Sequence, residues 1–197
     1  MSDHPINASP YHALDPENSV RRTLLQAAML LAVSEIGTTA LAAEPPSYGK
    51  AGDFDFLAGE WRIDHRQMKA RGQWDTFEGE ATCWSILAGL ASIEELRIPA
   101  RNFSGMGIRL LDVEKRIWSD FWVNSRSGVL TAPGSTGVFK NGVGAFGGDE
   151  AEPDGQRSQG VWDRITPTSC RWRQLVSNDG KAWEETWIMD WHRVTAK

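Results

Sequence analysis

The sequence predicts an all-β protein folded as an antiparallel up-and-down barrel of about ten strands. Over residues 53–194, short β-prone runs alternate with turn residues at regular intervals. No segment there sustains the periodicity of an amphipathic helix. Sequential antiparallel strands leave unpaired edges unless the sheet closes, and a barrel is the simplest closure. A sandwich of two sheets is the runner-up, since the local pattern fits both.

The predicted strands follow one another with turn signals between them. Asn141-Gly142 is a strong hairpin signal, and 178–181 joins the last two runs as a second hairpin. Because side chains alternate between the two faces of a strand, Trp118 and Trp122 share one face. The predicted strands are 60–68, 74–86, 91–98, 103–113, 116–124, 129–132, 136–140, 144–149, 159–165, 170–177 and 183–194.

The N-terminal segment has the features of an export signal. Arg21 and Arg22 precede an apolar run over 24–33 that is too short to span a bilayer, and Ala40-Leu41-Ala42 follows. This order resembles a twin-arginine signal cleaved after Ala42, and predicts a periplasmic or secreted protein. An amphipathic extension that stays attached is the alternative. The expected layout is an export signal with a polar extension over 1–42, a linker over 43–52, the barrel over 53–194 and a tail over 195–197.

Composition narrows the classes of partner. The formal net charge is −5 and no basic stripe is visible, so nucleic acid is not an expected partner. The 10 Trp residues, against 7 Phe and 2 Tyr, suit a small core or a cavity that holds a ligand.

The histidines and cysteines do not form a cluster with zinc-ligand spacing, so no metal site is predicted. Cys83 and Cys170 either pair in an oxidising compartment or remain buried thiols. The oligomeric state is left open.

The segment 54–61 resembles the Phe-x-x-Leu-x-Gly-x-Trp start of lipocalin-like proteins in the calycin superfamily. The resemblance implies a lipocalin-like or fatty-acid-binding-protein-like barrel with a helical turn that plugs one end. It also implies that Gly59 allows close approach there, that Trp61 caps the core, and that Arg193 stacks on Trp61. An uncharacterised bacterial group of lipocalin-like domains is similar over nearly the whole barrel. That group has no settled activity, so no catalytic residue is implied. The matching stretches are 54–61, 110–128, 137–149 and 162–194.

A barrel of this size either fills its lumen with side chains or leaves a cavity. Rigid tryptophans at alternating positions leave gaps, and small residues in other runs, namely Gly105, Gly107, Gly144 and Ala145, create room. Together they favour an enclosed pocket of roughly a few hundred Å³, within the usual range for small-ligand sites. A small, largely apolar molecule is the expected partner. The candidate ligand-binding residues are His65, Trp118, Trp122, Asn124, Arg126, Trp172 and Trp187.

Three functions remain open on this evidence. The first is an exported carrier or sensor of a small apolar molecule. The second is an enzyme of the hydratase, cyclase or isomerase type, in which His65 with Glu94 or Asp120 is the first acid–base pair to consider. The third is a structural module with a filled lumen. Only one of Glu94 and Glu95 faces inward, where Arg97 or Arg109 is its expected ion-pair partner.

No cofactor is expected, and haem bound through His65 or His192 is a minor alternative. His192 is out of phase with Trp187, Met189 and Trp191, which argues against it as a ligand if those side chains face inward.

Overall fold

The computed structural model describes residues 48–195, so the expected export signal lies outside the described residues. The described part is a closed antiparallel barrel in which each strand pairs with its sequence neighbours and the first strand pairs with the tenth. The predicted barrel is therefore confirmed and the sandwich is wrong. The strands are β1 (Gly59–Ala70), β2 (Gln73–Ile86), β3 (Ala91–Ile98), β4 (Phe103–Asp112), β5 (Ile117–Asn124), β6 (Ser135–Lys140), β7 (Val143–Gly147), β8 (Arg157–Asp163), β9 (Ser169–Ser177) and β10 (Glu184–Arg193).

Alternation along β1 shows how the sequence specifies the inner face. Trp61, Ile63 and His65 are buried, whereas Arg62 and Asp64 between them are exposed. Because side chains point alternately to opposite sides of a strand, the apolar set turns inward as a unit. The tight turn between β6 and β7 uses Asn141-Gly142, both with positive φ, as the hairpin signal predicted.

A 3₁₀ turn at Asp55–Leu57 plugs one end of the barrel. Leu57 and the preceding Phe54 are buried, and the Phe54 ring meets Trp118 edge-on with centroids 5.0 Å apart. This is the plug that the resemblance implied. Within residues 48–195 the helices are three single 3₁₀ turns, and none is long and apolar enough to cross a bilayer. The other two turns are Leu87–Gly89 and Pro99–Arg101.

The expected strand over 129–132 does not form. Its ladder is limited to one bridge between Leu130 and Val123, and Val129 is exposed. Pro133 follows directly and has no backbone N–H to continue a ladder, so the chain turns before a second pair forms. The prediction failed because the residue types favour a strand while the proline and its neighbours end the pairing.

Residues 48–52, at the end of the expected linker, contact the barrel. The backbone N–H of Gly49 donates to the carbonyl of Arg116 at 2.7 Å, and that of Gly52 donates to Gly89 at 2.9 Å. The Arg116 guanidinium also lies 4.5 Å from the ring centroid of Tyr48. These bonds attach the segment beside the plugged end of the barrel.

Cys83 and Cys170 are free thiols in the core, each 3% exposed. Burial raises the pKa of both thiols, and the negative charge of Glu94 raises it further. Both thiols are consequently protonated at neutral pH and pack as small apolar groups. Of the two arrangements that the sequence left open, the structure has the unpaired one.

Candidate functional site

The barrel contains a chamber of about 380 Å³, lined by residues from β3 to β10. This volume lies in the ordinary range for small-molecule sites, and it matches the size expected from the sequence. Tryptophans form much of the wall, with Leu96, Phe146 and Met189 contributing further apolar surface. The tryptophans are Trp122, Trp162, Trp172, Trp187 and Trp191.

Strand register brings these indoles together from separate parts of the chain. Trp162 on β8 is opposite Trp172 on β9, and Trp187 and Trp191 share the inner face of β10. The rings of Trp172 and Trp187 are perpendicular with centroids 5.9 Å apart, and those of Trp162 and Trp191 are 5.4 Å apart. The edge-to-face contact of Trp172 with Trp187 and the tilted contact of Trp162 with Trp191 fix the orientation of these rigid rings in the wall.

A charged cluster interrupts the apolar wall. Nη2 of Arg109 donates a hydrogen bond to Oε2 of Glu94 at 2.6 Å, and its Nε lies 3.4 Å from Oδ1 of Asp120. Gly107 allows this arrangement, because a Cβ at Gly107 would lie 3.1 Å from Nη2 of Arg109 and 3.3 Å from Oε2 of Glu94. The sequence left the inward acid and its partner undecided between two pairs, and the structure selects Glu94 with Arg109.

The electrostatics of the cluster follow from its burial. Desolvation disfavours the charged form of Arg109, but the carboxylates of Asp120 and Glu94 outweigh it and raise the pKa of Arg109. Desolvation raises the pKa of Asp120, and the positive charge of Arg109 only partly offsets this increase. Arg109 is therefore a permanent cation shared between two acids, and burial makes Asp120 easier to protonate than an ordinary aspartate.

Several N–H donors on the chamber wall have no hydrogen-bond partner within residues 48–195. They are Nη1 of Arg109, Nε1 of Trp162 and Nε1 of Trp191, while Nε of Arg109 has only the 3.4 Å ion-pair contact with Asp120. The guanidinium carbon of Arg109 lies 5.3 Å from the ring centroid of Trp162, so these groups form one contiguous region. Buried donors are normally paired, so these groups are exceptions within the described residues, and their atoms have almost no surface open to the chamber.

His65 lies behind the chamber wall. Its Nδ1 accepts a hydrogen bond from Nε1 of Trp187 at 3.2 Å, and its ring stacks on Phe77 with centroids 4.6 Å apart. Burial lowers the pKa of His65 to about 4, and the nearby charge of Arg101 contributes. The imidazole is neutral at ordinary pH and orients the Trp187 indole, which is the group that faces the chamber.

The other candidate residues divide between the chamber and its supports. Trp122, Trp172 and Trp187 line the chamber. Trp118 is fully buried beside the plug, where its Nε1 donates to Oδ2 of Asp53 at 3.1 Å. It faces inward like Trp122, but it lies too close to the plugged end to reach the chamber wall.

Asn124 and Arg126 belong to the turn that follows β5. Oδ1 of Asn124 accepts from the backbone N–H of Arg126 at 2.9 Å, and the Arg126 guanidinium lies 5.6 Å from the ring centroid of Phe103. Their polar groups stabilise the turn and lie outside the chamber wall. His192 is on the outer face, paired with Asp64 at 3.3 Å, consistent with its opposite phase.

Two glycines expected to make room for a ligand instead accommodate aromatic rings. A Cβ at Gly105 would lie 2.7 Å from Cη2 of Trp122, and one at Gly144 would lie 2.6 Å from Cε1 of Phe139. The space at each glycine is therefore occupied by a ring from the adjacent strand. These two glycines therefore accommodate neighbouring rings and do not open the chamber.

The site also contains residues that sequence reasoning did not select. Trp162 and Trp191 line the chamber, as do Gln159 and Gln174 on β8 and β9. Trp191 has the same strand parity as Trp187, a signal that would have found it. Gln159 and Gln174 are not marked by the sequence pattern. A polar side chain on a strand does not indicate a ligand site, and their place at the chamber depends on how β8 and β9 are positioned in the closed barrel.

The closed meander of ten strands around an internal, ligand-sized chamber is a calycin-like barrel. No protein-family model matches the chain, and no curated protein matches it.

Solved structures with a similar fold include three at low identity. A protein of unknown function from the DUF3598 family of Nostoc punctiforme has a TM-score of 0.43 and 12% identity, over 78% of this chain and 53% of its own. The S-type phycobiliprotein lyase CPES from Guillardia theta has a TM-score of 0.49 and 11% identity, over 73% and 92%. Rv2717c from M. tuberculosis has a TM-score of 0.45 and 12% identity, over 71% and 94%. This chain spans about half the length of the DUF3598 protein, and its likeness to the three structures concerns the fold alone.

Proposed function

We propose that this protein is an exported, lipocalin-like carrier that binds a small, largely apolar molecule inside its barrel. The observation that carries the proposal is the chamber of about 380 Å³ walled by five tryptophans. Indole rings offer large apolar surfaces at little cost in side-chain entropy, which suits a flat or cyclic hydrophobic ligand.

The contacts around the chamber favour binding over the two rival functions. A structural module would fill its lumen, whereas here a ligand-sized volume is left. An enzyme needs a convergent acid and base, but His65 bonds to Trp187, Glu94 bonds to Arg109, and Asp120 lies 3.4 Å from Nε of Arg109. The groups considered for acid–base work therefore act as supports of the wall and of the charged cluster.

Export is part of the proposal and is supported by the sequence of residues 1–42. Replacement of Arg21 and Arg22 by lysine is the direct test, since twin-arginine signals require the arginine pair. We expect the wild-type chain in the periplasm with an intact mass that corresponds to cleavage after Ala42, and the double variant retained inside the cell. Periplasmic material with the full 21.9 kDa mass would contradict cleavage.

Ligand binding is tested by titration of intrinsic tryptophan fluorescence with fatty acids, flavonoids, isoprenoids and haem. We expect a saturable change with at least one apolar class, and a weaker response in Trp172→Phe. Trp84→Phe is the matched control, because Trp84 is 46% exposed on the outer face of β2. No response to any class by the folded protein would contradict the proposal, and a response to haem alone would support the minor haem alternative.

A further inference from the structure

We infer that the chamber binds apolar amines, with the ammonium group of the ligand at Asp120 and its apolar part among the indoles. The inference rests on the proposed function, and it names the polar group that an otherwise apolar ligand presents. The observation behind it is an accessible acid in the wall of a chamber that five tryptophans line.

Asp120 is the member of the charged cluster that a ligand can reach. It lines the chamber from β5, and its side chain is 21% exposed. The side chains of Glu94 and Arg109 are 4% and 5% exposed, so their polar atoms are largely covered by protein. A ligand in the chamber therefore contacts the carboxylate of Asp120 before it contacts the buried ion pair.

Arg109 balances Glu94 more closely than it balances Asp120. Its Nη2 bonds to Glu94 at 2.6 Å, whereas Oδ1 of Asp120 lies 3.4 Å from Nε, longer than an ordinary N–H···O hydrogen bond. Among the residues that line the chamber, these three are the charged ones, and their formal charges sum to −1. A ligand cation would neutralise that remaining charge.

The burial of Asp120 strengthens the case for a cation. Desolvation raises the pKa of Asp120, because removal from water disfavours its ionised form. An ammonium group beside the carboxylate favours the ionised form and makes charge-assisted hydrogen bonds, which are stronger than neutral ones. Folding has already removed this carboxylate from bulk water, so the new desolvation on binding is mainly that of the ammonium group.

The uncharged polar side chains of the wall also suit an ammonium group. Nε2 of Gln159 donates to the carbonyl of Gly147 at 3.2 Å, and Oγ of Ser158 donates to Glu152 at 3.1 Å. Their own oxygen atoms are acceptors, as are the other amide and hydroxyl oxygens of the wall, and none of these groups repels a cation. The uncharged polar residues that line the chamber are Thr131, Ser135, Ser158, Gln159 and Gln174.

The indoles favour a cation over other polar groups, because the face of an aromatic ring attracts positive charge. Trp122 lies two residues from Asp120 on the same face of β5, about 7 Å along the strand. Nε1 of Trp187 donates to His65 at 3.2 Å, so what this indole offers a ligand is ring surface. An ammonium group at Asp120 is therefore beside a ring, and the apolar part of the ligand meets others.

An anionic group fits less well. A ligand carboxylate would be the third acid around Arg109, and like charges repel strongly where solvent does not screen them. Arg171 and Arg173 on β9 are paired with acids and do not line the chamber. A neutral hydroxyl group can bond to Asp120 but leaves its charge without a counterion.

Four matched naphthalenes test the inference by isothermal titration calorimetry on the folded protein: 2-naphthylmethylamine, 2-naphthylmethanol, 2-naphthoate and 2-ethylnaphthalene. We expect the amine to bind at least about 10-fold more tightly than the alcohol and the hydrocarbon, and the carboxylate to bind most weakly. An amine that binds no more tightly than the alcohol, or a carboxylate that binds most tightly, would overturn the inference.

Asp120→Asn provides the second arm, because it removes the charge while it keeps the shape of the side chain and leaves Arg109 paired with Glu94. We expect the affinity for the amine to fall by about 10-fold. The affinity for 2-ethylnaphthalene should change by less than about two-fold, which shows that the chamber is intact. Glu114→Gln is the control, since Glu114 is an exposed acid in the turn between β4 and β5. Unchanged affinity for the amine in Asp120→Asn would contradict the role of Asp120.

The outcomes separate this inference from the proposed function. If the four compounds bind equally well, or if none binds while the fluorescence titration shows another ligand class, the inference fails and the proposed function stands. If none of them binds and the fluorescence titration is also negative, both fail.

Discussion

Arg109 and Glu94 form an ion pair inside the barrel, with Nη2 and Oε2 2.6 Å apart and the two side chains 5% and 4% exposed. The pair joins β4 to β3, and Glu94 lies directly opposite Gly107 in the ladder. Glu94 is sensitive to the loss of Arg109, because its buried carboxylate would then have neither water nor a counterion, whereas Arg109 keeps Asp120 at 3.4 Å when Glu94 is lost.

Arg109→Met is expected to lower the free energy of unfolding by about 3–5 kcal/mol, the usual effect of leaving a buried charge unpaired. Glu94→Leu combined with Arg109→Met removes both charges, so the double variant should be less destabilised than the sum of the two single variants. Urea unfolding of all four proteins measures the coupling. Strictly additive effects would show that the pair does not act as a unit.

Trp61→Ala is expected to destabilise the barrel by about 3–5 kcal/mol, as for other buried large aromatic side chains. Trp61 is 1% exposed, its Nε1 donates to the carbonyl of Leu57 at 2.6 Å, and Cζ of Arg193 lies 4.2 Å from its ring centroid. Trp74→Ala is the matched control, because Trp74 is 41% exposed. Thermal unfolding should show a small effect in the control, and equal losses in the two variants would contradict the role of Trp61 as a core anchor.

His65 should make stability depend on pH between 6.5 and about 4. Its pKa is lower in the folded protein than in the unfolded chain, so the unfolded chain takes up the proton first. The contribution is complete above pH 6.5 and is lost as the pH falls toward 4, to a total of about 3 kcal/mol.

His65→Gln removes this titration and keeps an acceptor for Trp187, so its unfolding free energy should change less over the same range. Asp120, whose pKa is raised, changes stability with pH in the opposite direction. Because Asp120 is present in both proteins, the difference between their unfolding free energies isolates the contribution of His65. Parallel urea titrations at several pH values provide the measurement. Identical slopes would mean that His65 does not titrate as its burial requires.

Gly79→Ala should destabilise the protein by about 1–3 kcal/mol through overpacking. A Cβ at Gly79 would lie 3.1 Å from both Cδ2 of His65 and the carbonyl oxygen of Arg97, which leaves no room for a methyl group. In a His65→Ala background the same change should cost less, since the imidazole is gone. An equal cost in both backgrounds would place the clash at the Arg97 backbone alone.

Alternation along single strands was sufficient to assign faces. It placed Trp61 and His65 inside together, and it placed Trp118 and Trp122 on one side of β5, as the structure shows. The same reasoning did not separate Trp118 from the chamber. Parity specifies the face of a strand, whereas depth along the barrel depends on the stagger of all ten strands.

The polar candidate residues show more clearly that sequence neighbourhood does not determine which side chains reach the chamber. Asn124 and Arg126 are adjacent in sequence to Trp122, yet their hydrogen bonds close the turn after β5. Glu94 and Arg109 are 15 residues apart on neighbouring strands, and they meet because β3 and β4 pair with the register that places Glu94 opposite Gly107.

The sequence by itself determined the order of the strands and their inner faces, because both follow from side-chain periodicity and turn residues within short segments. The local pattern fitted a barrel and a sandwich alike, and the tertiary structure decided that the sheet closes. The tertiary structure decided which inward side chains meet. Glu94 bonds to Arg109 and His65 bonds to Trp187 through cross-strand register and barrel stagger, while the guanidinium of Arg109 lies over the Trp162 ring of β8. These relations depend on the positions of several strands at once, and no local pattern encodes them.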